Sequence, residues 1–169
     1  MPEDLAPTVT EAEKRKTAKV RTCLWYDGKA EEAARLYVSL IPGSAIEQVF
    51  RAAADEPALI VDFVLAGTPY QALNGGPRYR FSEAASISVL TEDQAETDRL
   101  WAALVADGGK PGQCAWLIDR YGLAWQIVPR ALPRLLGSPD REAAGRVMAA
   151  MRGMGKIDIA GLEAAHRGG

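Results

Sequence analysis

The sequence predicts an α+β chain: two βαβββ modules in residues 20–129, followed by C-terminal helices. Three observations predict it. The amphipathic segment EEAARLYVSL (31–40) recurs as AETDRLWAAL (95–104), so that Glu32, Arg35, Leu36 and Leu40 return as Glu96, Arg99, Leu100 and Leu104. β-like runs surround each copy in the same order. A Gly-x-x-aromatic-Gln signature, Gly67 to Gln71 and Gly122 to Gln126, closes each half.

Taken in order, RTCLWY (21–26) supplies the first strand. Asp27 ends that strand or caps the helix that begins near Lys29. Ala33, Leu36, Tyr37 and Leu40 then share one helix face. AIEQVFR (45–51), ALIVDFVLAG (58–67) and TPYQALNG (68–75) alternate or run apolar, with β-branched and aromatic residues between turn formers. The second half repeats the plan with ASISVL (85–90), the second helix, GQCAWLID (112–119) and LAWQIVP (123–129), the last two joined by a DRYG turn. In the tail, Ser138 and Asp140 are cap candidates for a helix with Val147, Met148, Met151 and Met154 at helical spacing. KIDIAGLEAAH predicts a second short helix starting near Asp158. The methionine stripe reads as packing.

The bulk numbers bound the function. With 169 residues, 48% hydrophobic, 25% charged and net charge −2, the chain has an ordinary globular composition. Its densest basic cluster, EKRKTAK (13–19), lies in a polar leader (1–19) that is expected to be flexible, and no basic stripe points to nucleic acid. No run reaches the roughly 18 apolar residues of a membrane span, so no membrane partner is expected and a cytoplasmic location is. Cys23 and Cys114 are far apart, which fits reduced thiols. The one histidine, His166, sits close to a Gly-Gly end where order is least expected. Catalysis by a histidine triad or dyad, and a multi-histidine metal site within one chain, are therefore not expected.

Four stretches carry a resemblance: LWYDGKAEEAARLYVSLIPGS (24–44), ALNGGPRYRFSEAASISV (72–89), CAWLIDRYGLAWQIVP (114–129) and GRVMAAMRGMGKIDIAGLEAAH (145–166). The chain resembles the vicinal oxygen chelate superfamily, the glyoxalase/bleomycin-resistance/dioxygenase-like fold. Within it the match is to the PhnB-like group, often labelled 3-demethylubiquinone-9 3-methyltransferase. The resemblance covers nearly everything after residue 20. It implies curved sheets placed side by side around a shared pocket, and a homodimer, because the fold often pairs or exchanges modules between chains. The apolar face of the tail, without an obvious partner in the sequence, points to the same dimer.

Metal-dependent members of that superfamily draw one ligand from the first and one from the last strand of each module. The resemblance places Gln71 and Gln126 at the last-strand positions and Thr22 and Ser86 at the first-strand positions. The repeat aligns Thr22 with Ser86 at the offset of the two helices. Two hydroxyls and two amides are poor ligands for a hard divalent ion, so no cofactor is expected, and only a loosely held divalent metal suits that set.

The same groups can orient a small-molecule ligand by hydrogen bonds, with Trp25, Tyr70, Tyr79, Trp116 and Trp125 as aromatic walls. Alternatively, Gln71 and Gln126 bond each other as a buried polar pair. Asp62, amid apolar strand residues, is expected to face solvent. Glu83 belongs to a loop, Cys114 reads as a packed strand cysteine, and the Gly75-Gly76-Pro77 turn with Arg78 and Arg80 is a faint anion-binding signal. No Gly-rich loop of a doubly wound sheet accompanies these motifs, so conventional S-adenosylmethionine-dependent methyl transfer is not expected. The expected function is metal-independent binding of a small molecule. The alternative is an enzyme, of lyase, isomerase or dioxygenase-like type, acting on a small oxygenated or aromatic substrate with an ion that the substrate completes.

Overall fold

The computed structural model describes residues 18–169. The leader expected to be flexible therefore lies outside the described residues, apart from Ala18 and Lys19, which are exposed. The chain divides into two compact units between Tyr79 and Arg80. Each is a βαβββ module, as the repeat predicts, and the tail belongs to the second.

In the first unit, β1 (Thr22–Tyr26), α1 (Ala30–Leu40), β2 (Ala45–Phe50), β3 (Ile60–Leu65) and β4 (Thr68–Asn74) form a sheet of order β1-β4-β3-β2. β1 runs parallel to β4, and the other pairings are antiparallel. The helix covers one face of this sheet. Ala33, Ala34 and Tyr37 are buried, as are Leu24, Tyr26, Val61, Phe63 and Ala72, and the Tyr26 and Tyr37 hydroxyls lie 3.3 Å apart. Side chains alternate along a strand, so Arg21, Cys23 and Trp25 point away from the helix.

The start of α1 is held from a distance. The backbone N–H of Ala30 donates to Asn74 Oδ1 at 2.9 Å, and Asn74 Nδ2 donates to the Ala58 carbonyl at 2.7 Å. A residue 44 positions away thus takes the capping role that the sequence offered to Asp27.

β2 carries a bulge. Its register slips between Ile46 and Gln48, so that Ile46 pairs with Phe63 while Gln48 pairs with Asp62. The extra residue puts Ile46 on the helix side and Gln48 on the opposite face, although their spacing alone predicts a shared face.

The second unit repeats the plan with β5 (Ser86–Thr91), α2 (Gln94–Val105), β6 (Lys110–Pro111), β7 (Trp116–Ile118) and β8 (Ala124–Pro129), in sheet order β5-β8-β7-β6. Asp93 caps α2, accepting the Glu96 N–H at 2.8 Å. The run expected as one strand over 112–119 is broken. Cys114 and Ala115 both adopt left-handed backbone conformations, with φ of 54° and 74°, and only residues 116–118 pair as β7. Cys114 is therefore not a strand residue. Its N–H and that of Ala115 donate to the carbonyls of Met154 and Gly155 at 2.8 and 2.9 Å, and those bonds to the tail hold the two residues in a conformation that L-residues seldom adopt.

Three helices form the tail: α3 (Ala131–Leu136), α4 (Arg141–Arg152) and α5 (Ile159–Arg167). Asp140 and Asp158 cap α4 and α5 through their carboxylates, while Ser138 only accepts the Asp140 N–H at 3.3 Å. α3 lies within the segment expected to be helical and carries Pro133. At the third position of a helix, however, the missing N–H is one that would lack an intrahelical partner anyway.

The tail closes its own core. Leu132, Leu135, Val147, Ile157 and Leu162 bury against Ala115, with Met151 and Met154 packed at the margin. Its apolar face thus has a partner in its own chain, which removes the tail as an argument for a dimer. His166, expected in a disordered end, lies in the last turn of α5, its carbonyl accepting Arg146 Nη2 at 2.7 Å. No helix among the described residues is long and apolar enough to cross a membrane.

Candidate functional site

On the helix-free face of the first unit, strand pairing assembles two rows. Cys23 pairs with Gln71, Gln71 with Asp62, and Asp62 with Gln48, giving a polar row across four strands. Trp25 pairs with Leu73, Leu73 with Ile60, and Ile60 with Phe50, giving an apolar row two residues further along. Rows two residues apart stand about 7 Å from each other.

The polar row is tied together. Gln71 Nε2 donates to Asp62 Oδ1 at 2.9 Å, and Arg21 Nη1 lies 2.9 Å from Asp62 Oδ2. The Asp62 side chain is 19% exposed, so it is neither free in solvent nor buried alone, and two neighbours fix its position. Burial raises the pKa of the Cys23 thiol; Arg21 pulls it down and Asp62 pushes it further up. A recess of about 300 Å³ lined by Arg21, Gln48, Phe50, Ile60, Asp62 and Gln71 spans both rows. A neighbouring one of about 270 Å³ shares Arg21, Gln48 and Asp62.

The apolar row ends on an aromatic strap. Trp25 Nε1 donates to the Gly76 carbonyl at 2.8 Å, Tyr79 meets the Trp25 ring edge-on at 4.9 Å, and the Arg78 guanidinium stands 5.3 Å from the Tyr79 ring centre. Gly75 permits this, since a Cβ there would fall 2.1 Å from Trp25 Cζ2. The Gly75-Gly76-Pro77 turn thus serves to seat an indole, and its Gly76 carbonyl is committed to that hydrogen bond.

The second unit presents a similar face. Ser88 pairs with Gln126 and Gln126 with Trp116, and Gln126 Nε2 donates to Ser86 Oγ at 2.9 Å. Gln71 and Gln126 therefore each donate within their own unit, to Asp62 and Ser86.

Two residues expected at the site are placed elsewhere, and a third lies at its margin. Thr22 points to the helix side of β1, opposite Gln71. Tyr70 is stacked on Phe63 with ring centres 5.4 Å apart and burial raises its phenol pKa, but it also contributes to the lining of the recess of about 270 Å³ with Arg21, Gln48 and Asp62. Trp125 is fully buried and donates its indole N–H to Asp119 Oδ2 at 2.9 Å. Asp119, read as a turn residue, is itself only 2% exposed and also accepts the N–H groups of Tyr121 and Leu123. Trp125 is thus a core residue rather than a pocket wall.

Arg21, Cys23, Gln48, Phe50 and Ser88 were missed. Period-two alternation from Gln71 and Gln126 excludes Tyr70 and Trp125 from the glutamines' faces. Choosing Cys23 and Ser88 requires the strand register. The link from β1 to α1 has three residues and that from β5 to α2 has two, so an offset read from the helices is one residue out in the strands.

The donor set does not fit the divalent metal that the superfamily implies. In the first unit the single carboxylate of the row is engaged by Arg21, and the second unit offers only hydroxyls and an amide. Among the described residues no group of three or more His, Cys, Asp or Glu side chains is placed to hold an ion.

A family model described as 3-demethylubiquinone-9 3-methyltransferase matches residues 18–128. A PhnB protein from Bacillus cereus, described under the same methyltransferase name, is 28% identical; the alignment covers 66% of this chain and 98% of that one, with a TM-score of 0.60. A Pseudomonas aeruginosa protein is 23% identical over 67% of this chain and 98% of its own, with a TM-score of 0.54. The fosfomycin resistance protein FosX of Listeria monocytogenes shares the fold at 12% identity, covering 72% and 98% of the two chains, with a TM-score of 0.51. No curated protein matches.

Proposed function

We propose that this chain, which belongs to the family described as 3-demethylubiquinone-9 3-methyltransferase, binds a small molecule on a polar and aromatic sheet face without a resident divalent metal. One observation carries the reading: Gln71 and Gln126, at the positions where metal-dependent relatives are expected to hold an ion, donate to Asp62 and Ser86 inside their own sheets. Such groups suit hydrogen bonding to a neutral or charged organic ligand, and in the first unit Trp25, Phe50 and Tyr79 add apolar surface on the face of Gln71.

Conventional S-adenosylmethionine-dependent methyl transfer is not part of this proposal. That chemistry commonly uses a Gly-rich turn in a doubly wound parallel sheet. Here each unit is a four-stranded mixed sheet in which only the first and last strands run parallel.

Elemental mass spectrometry of untagged protein, with calorimetric titration by zinc, manganese and nickel, tests the metal half of the proposal. Metal-free protein that gives no binding heat is expected. Stoichiometric metal that is lost in Gln71→Ala and Gln126→Ala would replace the proposal with an enzyme acting through an ion. A thermal-shift screen with small organic acids, amides and aromatic compounds tests the other half, and a panel with no stabilising compound would count against binding.

A further inference from the structure

We infer that Arg21 is the ligand-contacting residue of the first unit and that its ligand is a small carboxylate with an apolar, aromatic-sized body. The inference rests on the small-molecule reading above and names the class of molecule.

Arg21 Nη1 stands 2.9 Å from Asp62 Oδ2 in an ion pair, and the Arg21 side chain is 47% exposed. The remaining N–H groups keep the fork geometry that receives a carboxylate through two parallel hydrogen bonds. Arginine side chains carry large rotamer entropy, and a tether at one nitrogen removes part of that cost before a ligand arrives. Asp62 is the tether, and Gln71 holds Asp62 from its other oxygen. Gln71 is therefore a positioning residue: it acts on the ligand through Asp62 and Arg21.

The second half of the inference comes from the apolar row. Phe50 is 49% exposed, and it lines the same recess as Arg21 together with Ile60. A ligand whose charge sits on the Arg21 fork has its body directed along the sheet toward Ile60 and Phe50, with the rows about 7 Å apart. A charged head separated from a ring by two or three carbons spans that distance.

The test uses the full chain, 3-phenylpropionate, and its neutral amide 3-phenylpropanamide, titrated while backbone amide resonances are followed by NMR. The acid is expected to shift resonances of β1 to β4 saturably and to bind at least about tenfold more tightly than the amide. Arg21→Gln should abolish that difference, with the acid losing much more affinity than the amide. Arg21→Lys, which keeps the charge and loses the fork, should retain part of it. Gln71→Leu should reduce the preference for acid over amide about threefold, whereas a purely structural role would weaken both alike and leave that preference unchanged; the dispersed spectrum of each variant reports its folding. Equal binding of acid and amide, or acid binding unaffected by Arg21→Gln, overturns the carboxylate anchor and leaves the small-molecule reading standing. If neither compound shifts any resonance of β1 to β4, both the anchor and this face as a binding surface fall.

Discussion

Gln71 donates its side-chain amide to Asp62 across the β4–β3 pair at 2.9 Å. The contact gives a strand glutamine a definite task. It fixes a carboxylate that in turn holds Arg21, and it does so on the face that the helix leaves open. Gln126 donates instead to a hydroxyl, that of Ser86, so the two copies of the signature present different electrostatics: an ion pair in one unit and neutral dipoles in the other.

Cys23 reports on that ion pair. Cys23 is an exposed residue whose thiol is nevertheless held above the ordinary value, first by its partial desolvation on the sheet, with Arg21 lowering it and Asp62 raising it. The thiolate should therefore be scarce at neutral pH, and alkylation by iodoacetamide should climb steeply only at alkaline pH. Arg21→Gln should slow alkylation at pH 8 and Asp62→Asn should speed it, each several-fold, because thiolate below the pKa changes about tenfold for each unit the pKa moves. Rates that move in the opposite directions would show that access, not charge, governs this thiol.

Asp119 is a structural carboxylate. Replacing it with alanine removes an acceptor shared by the Tyr121 and Leu123 amides and the buried Trp125 indole. The expected loss is about 3 kcal/mol or more, since a buried donor without a partner adds its own desolvation cost. Urea unfolding measures it. A loss under about 1 kcal/mol would mean that water or another group replaces the carboxylate.

Gly75→Ala tests the aromatic strap. The residue's backbone needs no special conformation, so the whole effect is the collision of the new Cβ with the Trp25 ring. Forcing the indole aside should cost about 1–3 kcal/mol and break its bond to the Gly76 carbonyl. A changed tryptophan emission spectrum with a lowered Tm is expected. An unchanged spectrum would place the indole elsewhere.

Leu162→Ala tests the tail core. Leu162 is fully buried among Leu132, Leu135, Val147 and Ile157, and truncation there should destabilise the protein by about 2–5 kcal/mol. The same substitution should leave the molecular mass in solution unchanged, because this face is satisfied within the chain. A change in oligomeric state, read by light scattering, would show that the tail packs on another copy instead.

Much of this molecule is legible in the sequence, because its signals are local. Helical periodicity at 31–40 and 95–104, apolar alternation in the strands and the caps at Asp140 and Asp158 each depend on neighbours a few residues away. The βαβββ repeat follows from placing them in order. Alternation also carried a warning: Tyr70 and Trp125 adjoin Gln71 and Gln126 and so face the other way.

The site depended on relations between distant segments. A three-residue link before α1, against two before α2, moves the first strand by one position relative to its helix and exchanges Thr22 for Cys23 beside Gln71. A single extra residue in β2 turns Gln48 to the face of Asp62. Arg21, Asp62 and Gln71 lie on three strands and meet only when those strands pair. Because side chains alternate with a period of two, each one-residue shift reverses a whole strand. Local pattern therefore determined the elements and their order, and pairing in three dimensions decided which side chains share a surface.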